Sequence, residues 1–330
     1  MTVQITIVGL GQIGASVGLA LANQQNQLLR VGHDLEVQIA RRAEKMGALD
    51  RVDLNLPHAV RGADLVLLAL PLDQIRPTLE IIASDLKEGA VVMDTAPVKD
   101  VVLGWADELI PAGRYYIGLT PVLNPEYLHE NAAGLEAAHA DLFQDGLMAI
   151  VAPSKTNSEA IKLAADLTAL LGATPFFIDS LELDGLMAST HLLPQFVAAA
   201  LVGATMDQPG WQEGRKVAGR AYAEATAPTV HLDDVEALRE AALHNRENVL
   251  RLLGNAITAL EAIRKDIEAR DGKALDDRLG QARKGRVRWW QERMAAEWMT
   301  ANAPEIEIPE NPGLLGRLFG IGHRPKQNRR

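Results

Sequence analysis

Cysteine is missing from all 330 residues. That excludes disulfides, thiolate nucleophiles, zinc–thiolate sites and iron–sulfur clusters, and it suits a reducing cytoplasm. Positive charge is short as well: 33 Lys and Arg stand against 43 Asp and Glu, a net charge of -10 with no long acidic block. Such a surface repels nucleic acid, and no nucleic-acid module is readable in the chain. No basic, cleavable leader is expected, because Met1-Thr2-Val3-Gln4-Ile5 runs straight into a strand pattern. An unbroken membrane-spanning run is also lacking. The nearest stretch, 185–206, contains Ser189, Thr190, His191, Pro194 and Gln195. It reads as a helix buried in protein or in a subunit interface, not as a transmembrane segment. His129, His139, His231 and His244 have no ligand spacing, so no metal site is expected.

What the chain does have is apolar material, 48% of its residues, which suffices for a substantial core and about two domains. Residues 4–8, 28–33, 64–70, 90–94, 115–119, 148–152 and 174–178 read as short strands. Helical stretches at 15–24, 36–46, 74–86, 98–109 and 158–171 separate them. Strands that are apolar on both faces and spaced by helices predict an α/β fold, a doubly wound parallel sheet. After residue 181 the strand signals stop, and 184–206, 214–226, 230–270 and 276–299 are helical by period and composition.

The expected layout is a Rossmann domain over 1–180, an all-helical substrate and dimerisation domain over 181–300, and a linker with a basic-apolar tail over 301–330. The helix around 196–201 is hydrophobic nearly all round, which predicts a homodimer sharing a helical core. The last segment mixes Leu314, Leu318 and Phe319 with Arg317, Arg324 and Arg329. It reads either as a loose tail or as a docking peptide for a partner or an anionic membrane surface.

The sharpest motif is Gly9-Leu10-Gly11-Gln12-Ile13-Gly14, between a strand pattern and a helix pattern. Gly9 permits a sharp turn, Gly11 lets backbone approach a pyrophosphate, and Gly14 lets the helix pack close to the sheet. The helix N-terminus then offers free N–H groups and positive potential to the diphosphate. Asp34 closes the second strand, 20 residues after Gly14, where a carboxylate accepts ribose hydroxyls. Its charge repels a 2′-phosphate, so NAD is expected over NADP, with His33, Arg41 and Arg42 softening that preference. Leu70, Pro71 and Thr95, at the ends of later strands, complete the expected cofactor contacts.

The glycine loop is shared by many dehydrogenases, but the segments around it narrow the field. The stretch 9–21, Ala63-Asp-Leu-Val-Leu-Leu-Ala-Leu-Pro71, Asp94-Thr-Ala-Pro-Val-Lys99 and the stretch 152–184 resemble the prephenate and arogenate dehydrogenases of tyrosine biosynthesis. The resemblance runs over about residues 3–225. It implies an NAD(P)-binding Rossmann domain joined to a helical dimerisation domain, and oxidative decarboxylation to a 4-hydroxyphenyl product. Several positions depart from the family pattern. Thr120, in Gly118-Leu-Thr120-Pro121, stands where the family has a histidine that serves the substrate hydroxyl, and Pro97 stands where it has a serine. A His-Asp pair appears as Leu183-Asp184, and a Ser-His-Leu-Pro-His run as His191-Leu-Leu-Pro194-Gln195. Arg220 matches an arginine that holds a substrate carboxylate, and Lys99 is retained.

That chemistry needs a hydride acceptor, a base for the ring hydroxyl, and cations for two carboxylates. A threonine can hydrogen-bond a hydroxyl but cannot take its proton at neutral pH. His191 is the substitute base, and a positioned imidazole contributes about 10²–10⁴-fold; it reads equally as a core histidine bonded to backbone. Arg220 reads as a bidentate carboxylate fork or as a surface ion pair. Lys99 reads as a substrate-orienting group or a solvated lysine at a helix start, and Gln195 as an uncharged hydrogen-bond donor. Two other functions stay open: a dehydrogenase or reductase of another small hydroxy acid, ketone or imine, and a non-catalytic NAD-binding regulator.

Overall fold

In the computed structural model, residues 2–24, 27–130, 132–231 and 234–296 are described. The linker and tail expected over 301–330, and the end of the helix expected over 276–299, lie outside them. Two compact units divide at the Leu183–Asp184 bond.

The first unit carries one sheet of eight strands. In chain order they are β1 (Val3–Val8), β2 (Leu28–His33), β3 (Arg51–Val52), β4 (Leu65–Leu68), β5 (Val91–Asp94), β6 (Tyr115–Val122), β7 (Leu147–Val151) and β8 (Thr174–Phe177). They lie side by side as β3-β2-β1-β4-β5-β6-β7-β8. The crossover helices are α1 (Gln12–Ala20), α2 (Val37–Lys45), α3 (Leu56–Val60), α4 (Leu72–Ile82), α5 (Asp100–Leu109) and α6 (Ser158–Leu170). β4 and β5 are buried at every position, as expected of strands covered on both faces. Ile5, Ile7, Leu65, Leu67 and Met93 are essentially inaccessible to solvent, each contributing about 1.5–3 kcal/mol by burial.

The sheet is not parallel throughout. β6 and β7 pair antiparallel, while β7 and β8 pair parallel again. The reason lies in the connection. Between Val122 and Leu147 the described residues make two short 3-10 turns, Pro125–Tyr127 and Gly134–Ala137, and no longer helix. A parallel pair needs a crossover element, and without one the strand must return in the opposite sense. Leu135, Leu142 and Phe143 of this excursion are buried in the same core cluster as β1 and α1.

The second unit is helical. A long helix comprises α7 (Ser180–Met187), a π turn over Ala188–Leu192, and α8 (Leu193–Met206). Then come α9 (Trp211–Val217), α10 (Arg220–Thr226), α11 (Pro228–His231), α12 (Val235–His244), α13 (Arg246–Glu268) and α14 (Gly272–Ala295). The single helix expected over 214–226 is interrupted at Ala218-Gly219, where Ala218 is extended and Gly219 opens α10. That expected over 230–270 is interrupted before Val235, where Asp234 is extended, and again at Asn245, the junction of α12 and α13. By length and composition alone Ser180–Met206 is long and apolar enough to cross a membrane. Most of its apolar stretch is not buried within the chain.

Candidate functional site

Strand register gathers the site. Val8 pairs with His33 and with Leu68, Leu68 with Asp94, and Asp94 with Gly118. The residues that come next after β1, β2, β4 and β5, namely Gly9, Asp34, Ala69 and Thr95, therefore emerge together at the carboxyl edge of the sheet. The order β3-β2-β1-β4-β5-β6 reverses direction between β1 and β4, and that is where a doubly wound sheet opens its crevice.

Each glycine of the loop has a distinct physical reason. Gly9 has φ +88°, and a Cβ there would sit 2.3 Å from the Ala69 carbonyl oxygen. A Cβ on Gly14 would lie 1.9 Å from the Gly9 carbonyl oxygen, so α1 could not approach the turn. Gly11 is different, since a Cβ there would meet nothing within 4 Å. Gly11 is also the residue before α1, where no side chain caps the helix and no acidic residue occupies the first turn. The N–H groups of Gln12 and Ile13 belong to that first turn, which has no intrahelical acceptors. Open space over uncapped amides at a positive helix end fits a diphosphate.

Asp34 is held in place from both sides. Its Oδ2 accepts the Leu10 N–H at 2.8 Å and its Oδ1 accepts the Glu36 N–H at 2.8 Å. The carboxylate is thus tied to the glycine loop yet stays partly open to solvent. His33 Nδ1 lies 2.9 Å from the Asp53 carbonyl oxygen, so Nδ1 carries the proton. On the far side of the loop, Leu70 Cδ2 stands 2.8 Å from the position of a Gly9 Cβ, and Pro71 opens α4. Beneath α1, buried Arg30 donates to the carbonyls of Gly18 (2.8 Å) and Gly47 (2.9 Å) and pairs with Asp50 at 2.6 Å. Burial pushes the Asp50 carboxyl up, but its bonds to Arg30 outweigh that and hold it below the usual range.

Lys99 is not the solvated lysine that a helix start suggested. Lys99 and Asp94 are both 0% exposed, with Nζ donating to Asp94 Oδ1 at 2.7 Å. The same Oδ1 accepts the Ala96 N–H at 2.8 Å, and Oδ2 accepts the Tyr116 hydroxyl. This carboxylate therefore fixes the turn that carries Thr95. Sequence reasoning missed Tyr116. The signal was the period of two along β6, which places Tyr116 on the face of Gly118, where a Cβ would lie 2.8 Å from Lys99 Cδ. Thr120 is buried two residues further along, its Oγ1 3.5 Å from the Ala96 carbonyl oxygen.

In the helical unit, His191 lies in the π turn and is half-buried, and Gln195 is buried with its Nε2 donating to the His191 carbonyl at 3.1 Å. Asn245 Nδ2 donates to the Asp184 carbonyl at 2.7 Å. Arg220 is 90% exposed and pairs with Glu224 at 2.6 Å on its own helix.

Residues 17–176 match the family described as prephenate dehydrogenase, nucleotide-binding domain. Prephenate dehydrogenase of Bacillus subtilis is 23% identical over 331 aligned residues, covering 96% of this chain and 84% of its own. Cyclohexadienyl dehydrogenase of Zymomonas mobilis is 26% identical, covering 86% of this chain and 94% of its own. Among solved structures, prephenate dehydrogenase from A. aeolicus in complex with hydroxyphenyl propionate and NAD+ superposes with a TM-score of 0.75 at 20% identity. That alignment covers 88% of this chain and 99% of the other. Synechocystis arogenate dehydrogenase gives 0.67 at 22% identity over 87% and 99%.

Proposed function

We propose that the chain, whose residues 17–176 match the nucleotide-binding domain of prephenate dehydrogenase, is an NAD-dependent dehydrogenase acting on prephenate or arogenate. The observation that carries this reading is the glycine turn at the sheet's switch point, open at Gly11 and tied through Leu10 to Asp34. When bound there, the nicotinamide supplies the hydride acceptor. The amides of Gly11, Gln12 and Ile13 hold the diphosphate, and Asp34 holds the adenosine ribose hydroxyls and disfavours a 2′-phosphate. Leu70, Pro71 and Thr95 contact the dinucleotide, and Lys99 keeps the Thr95 turn rigid through Asp94.

On the substrate, His191 is the base that takes the ring-hydroxyl proton as hydride departs from the carbon bearing that hydroxyl, while Thr120 can hydrogen-bond a hydroxyl but not take its proton. Loss of carbon dioxide comes next because it aromatises the ring to a 4-hydroxyphenyl product. Arg220 gives up Glu224 to bind a substrate carboxylate, and Gln195 donates a hydrogen bond. The helical unit forms a homodimer, a reading supported by the low burial of Ser180–Met206 and by exposed Leu250, Ile257, Leu260 and Ile267 along one side of α13. Sedimentation of the purified protein as a monomer at micromolar concentration would refute it.

Incubation with NAD and prephenate or arogenate, with the absorbance of reduced nicotinamide as readout, tests the activity. Turnover of either substrate is the expected result. A specific observation favours a second reading: Thr120 cannot act as a base, which points to a substrate other than the family's on an unchanged cofactor site. Inertness toward both substrates, with turnover of another hydroxy acid or imine, would select it.

A further inference from the structure

The Ser180–Met206 helix is widened at one place, and that place is His191. Pro194 has no N–H to give the helix and its ring crowds the carbonyl one turn back, and the helix accommodates this with the π turn over Ala188–Leu192. Side chains bond carbonyls before the turn and within it. The hydroxyls of Ser189 and Thr190 both donate to the Leu186 carbonyl at 2.8 Å. Gln195 donates to the His191 carbonyl, and Asn245 reaches from the α12–α13 junction to the Asp184 carbonyl at 2.7 Å. Asn245 is buried, and its Oδ1 accepts Asn248 Nδ2 at 2.9 Å.

A helix packed against α12 and α13 has no need of such a set of polar side chains for stability alone. Each buried amide carries a desolvation cost that only its bond offsets. One extra residue in a helix rotates the residues beyond it by about 100°, and π turns of this kind concentrate at functional sites. We propose that the π turn is a built distortion that aims His191, and that Asn245 is a positioning residue that holds it open. The proposal rests on the reading of His191 as the base of the reaction.

Two variants test it in the full-length protein: Asn245→Ala, and deletion of Ser189, which removes the surplus residue and restores α-helical register. Both are assayed for melting temperature, NAD affinity, kcat and KM, and for the ring NMR signals of His191. The expected result is folded protein with unchanged NAD affinity, shifted His191 signals, and kcat lowered about tenfold or more, within the range a positioned base contributes. KM for the substrate changes less than kcat. Should Asn245→Ala misfold, the deletion combined with Pro194→Ala decides, because without the proline ring the α-helical register carries no clash. His191 signals and kcat unchanged in the folded variants would overturn the proposal. If the wild type turns over neither substrate, the activity reading has failed, and the His191 signals alone judge the π turn.

Discussion

Alanine at Gly11 and at Gly14 should have opposite consequences although the residues are three apart in one loop. At Gly11 the backbone has φ -73° and ψ -160°, which an L-residue adopts without strain, and the new Cβ meets nothing within 4 Å. Stiffening the unfolded chain favours the variant by about 0.4–1 kcal/mol, while alanine is a poorer residue than glycine before a helix by about 0.5–1 kcal/mol. The two nearly cancel, so the melting temperature should stay within about 3 °C.

The methyl group instead occupies the space a diphosphate needs. Losing one charge-assisted bond there, at about 1.5–3 kcal/mol, weakens NAD binding about 10- to 100-fold. At Gly14 the added carbon lies 1.9 Å from the Gly9 oxygen, against 3.4–4 Å for ordinary contact. Helix α1 must move away by more than an ångström, at or above the roughly 1–3 kcal/mol of core overpacking. Thermal melts and calorimetric titration with NAD separate the two. NAD affinity within twofold of wild type for Gly11→Ala, or an unchanged melt for Gly14→Ala, would refute the reasoning.

Three other perturbations draw on the same geometry. Asp34→Asn keeps an acceptor for the Leu10 N–H but removes the charge, so the ratio of NADP to NAD affinity should rise about tenfold or more; an unchanged ratio in paired titrations would show that Asp34 does not select the cofactor. Lys99→Met leaves the Asp94 carboxylate buried without its cation, which should cost about 3–5 kcal/mol and appear as reduced denaturant stability. The double variant with Asp94→Asn should recover much of that loss, and a fully additive double variant would argue against the pairing. Asp50, held below its usual range by Arg30, contributes stability above the ordinary carboxylate pKa that is lost as pH falls through the depressed folded value. Asp50→Asn should therefore flatten the acid limb of stability against pH below about 4, whereas an unaltered limb would place the sensitivity elsewhere.

Legibility in the sequence tracked the range of the forces involved. The glycine turn, its strand and its helix are local features, so spacing alone revealed Gly9, Gly11, Gly14 and Asp34 where the sheet edge now holds them. Lys99 was open to a solvated reading because its partner is chosen by tertiary packing. Nothing near it in sequence announces that Tyr116 and Gly118, on a neighbouring strand, leave a sealed slot for its side chain. The antiparallel β7 was hidden because its strand pattern is the same in either direction, and only the missing crossover helix tells them apart. The breaks at Ala218-Gly219 and Asn245 were overlooked because a helical period continues across them, and the π turn because one surplus residue barely alters hydrophobic spacing.

The two halves of the proposed chemistry are under different constraints, and this explains why one was readable and the other is contested. Binding a diphosphate is done mainly by backbone, so it demands glycines at fixed positions where any side chain collides or intrudes. Moving a proton is done by a side chain, and a base can be supplied from another position provided that it reaches the same atom. A hydroxyl at Thr120 and an imidazole displaced to His191 are compatible with an intact cofactor turn. The departure at Thr120 therefore weighs on the identity of the base and of the substrate, while leaving the dinucleotide reading untouched. The π turn matters for the same reason: on the proposed reading, a histidine moved along a helix is useful only if the helix is reshaped to present it, and the turn over Ala188–Leu192 is that reshaping.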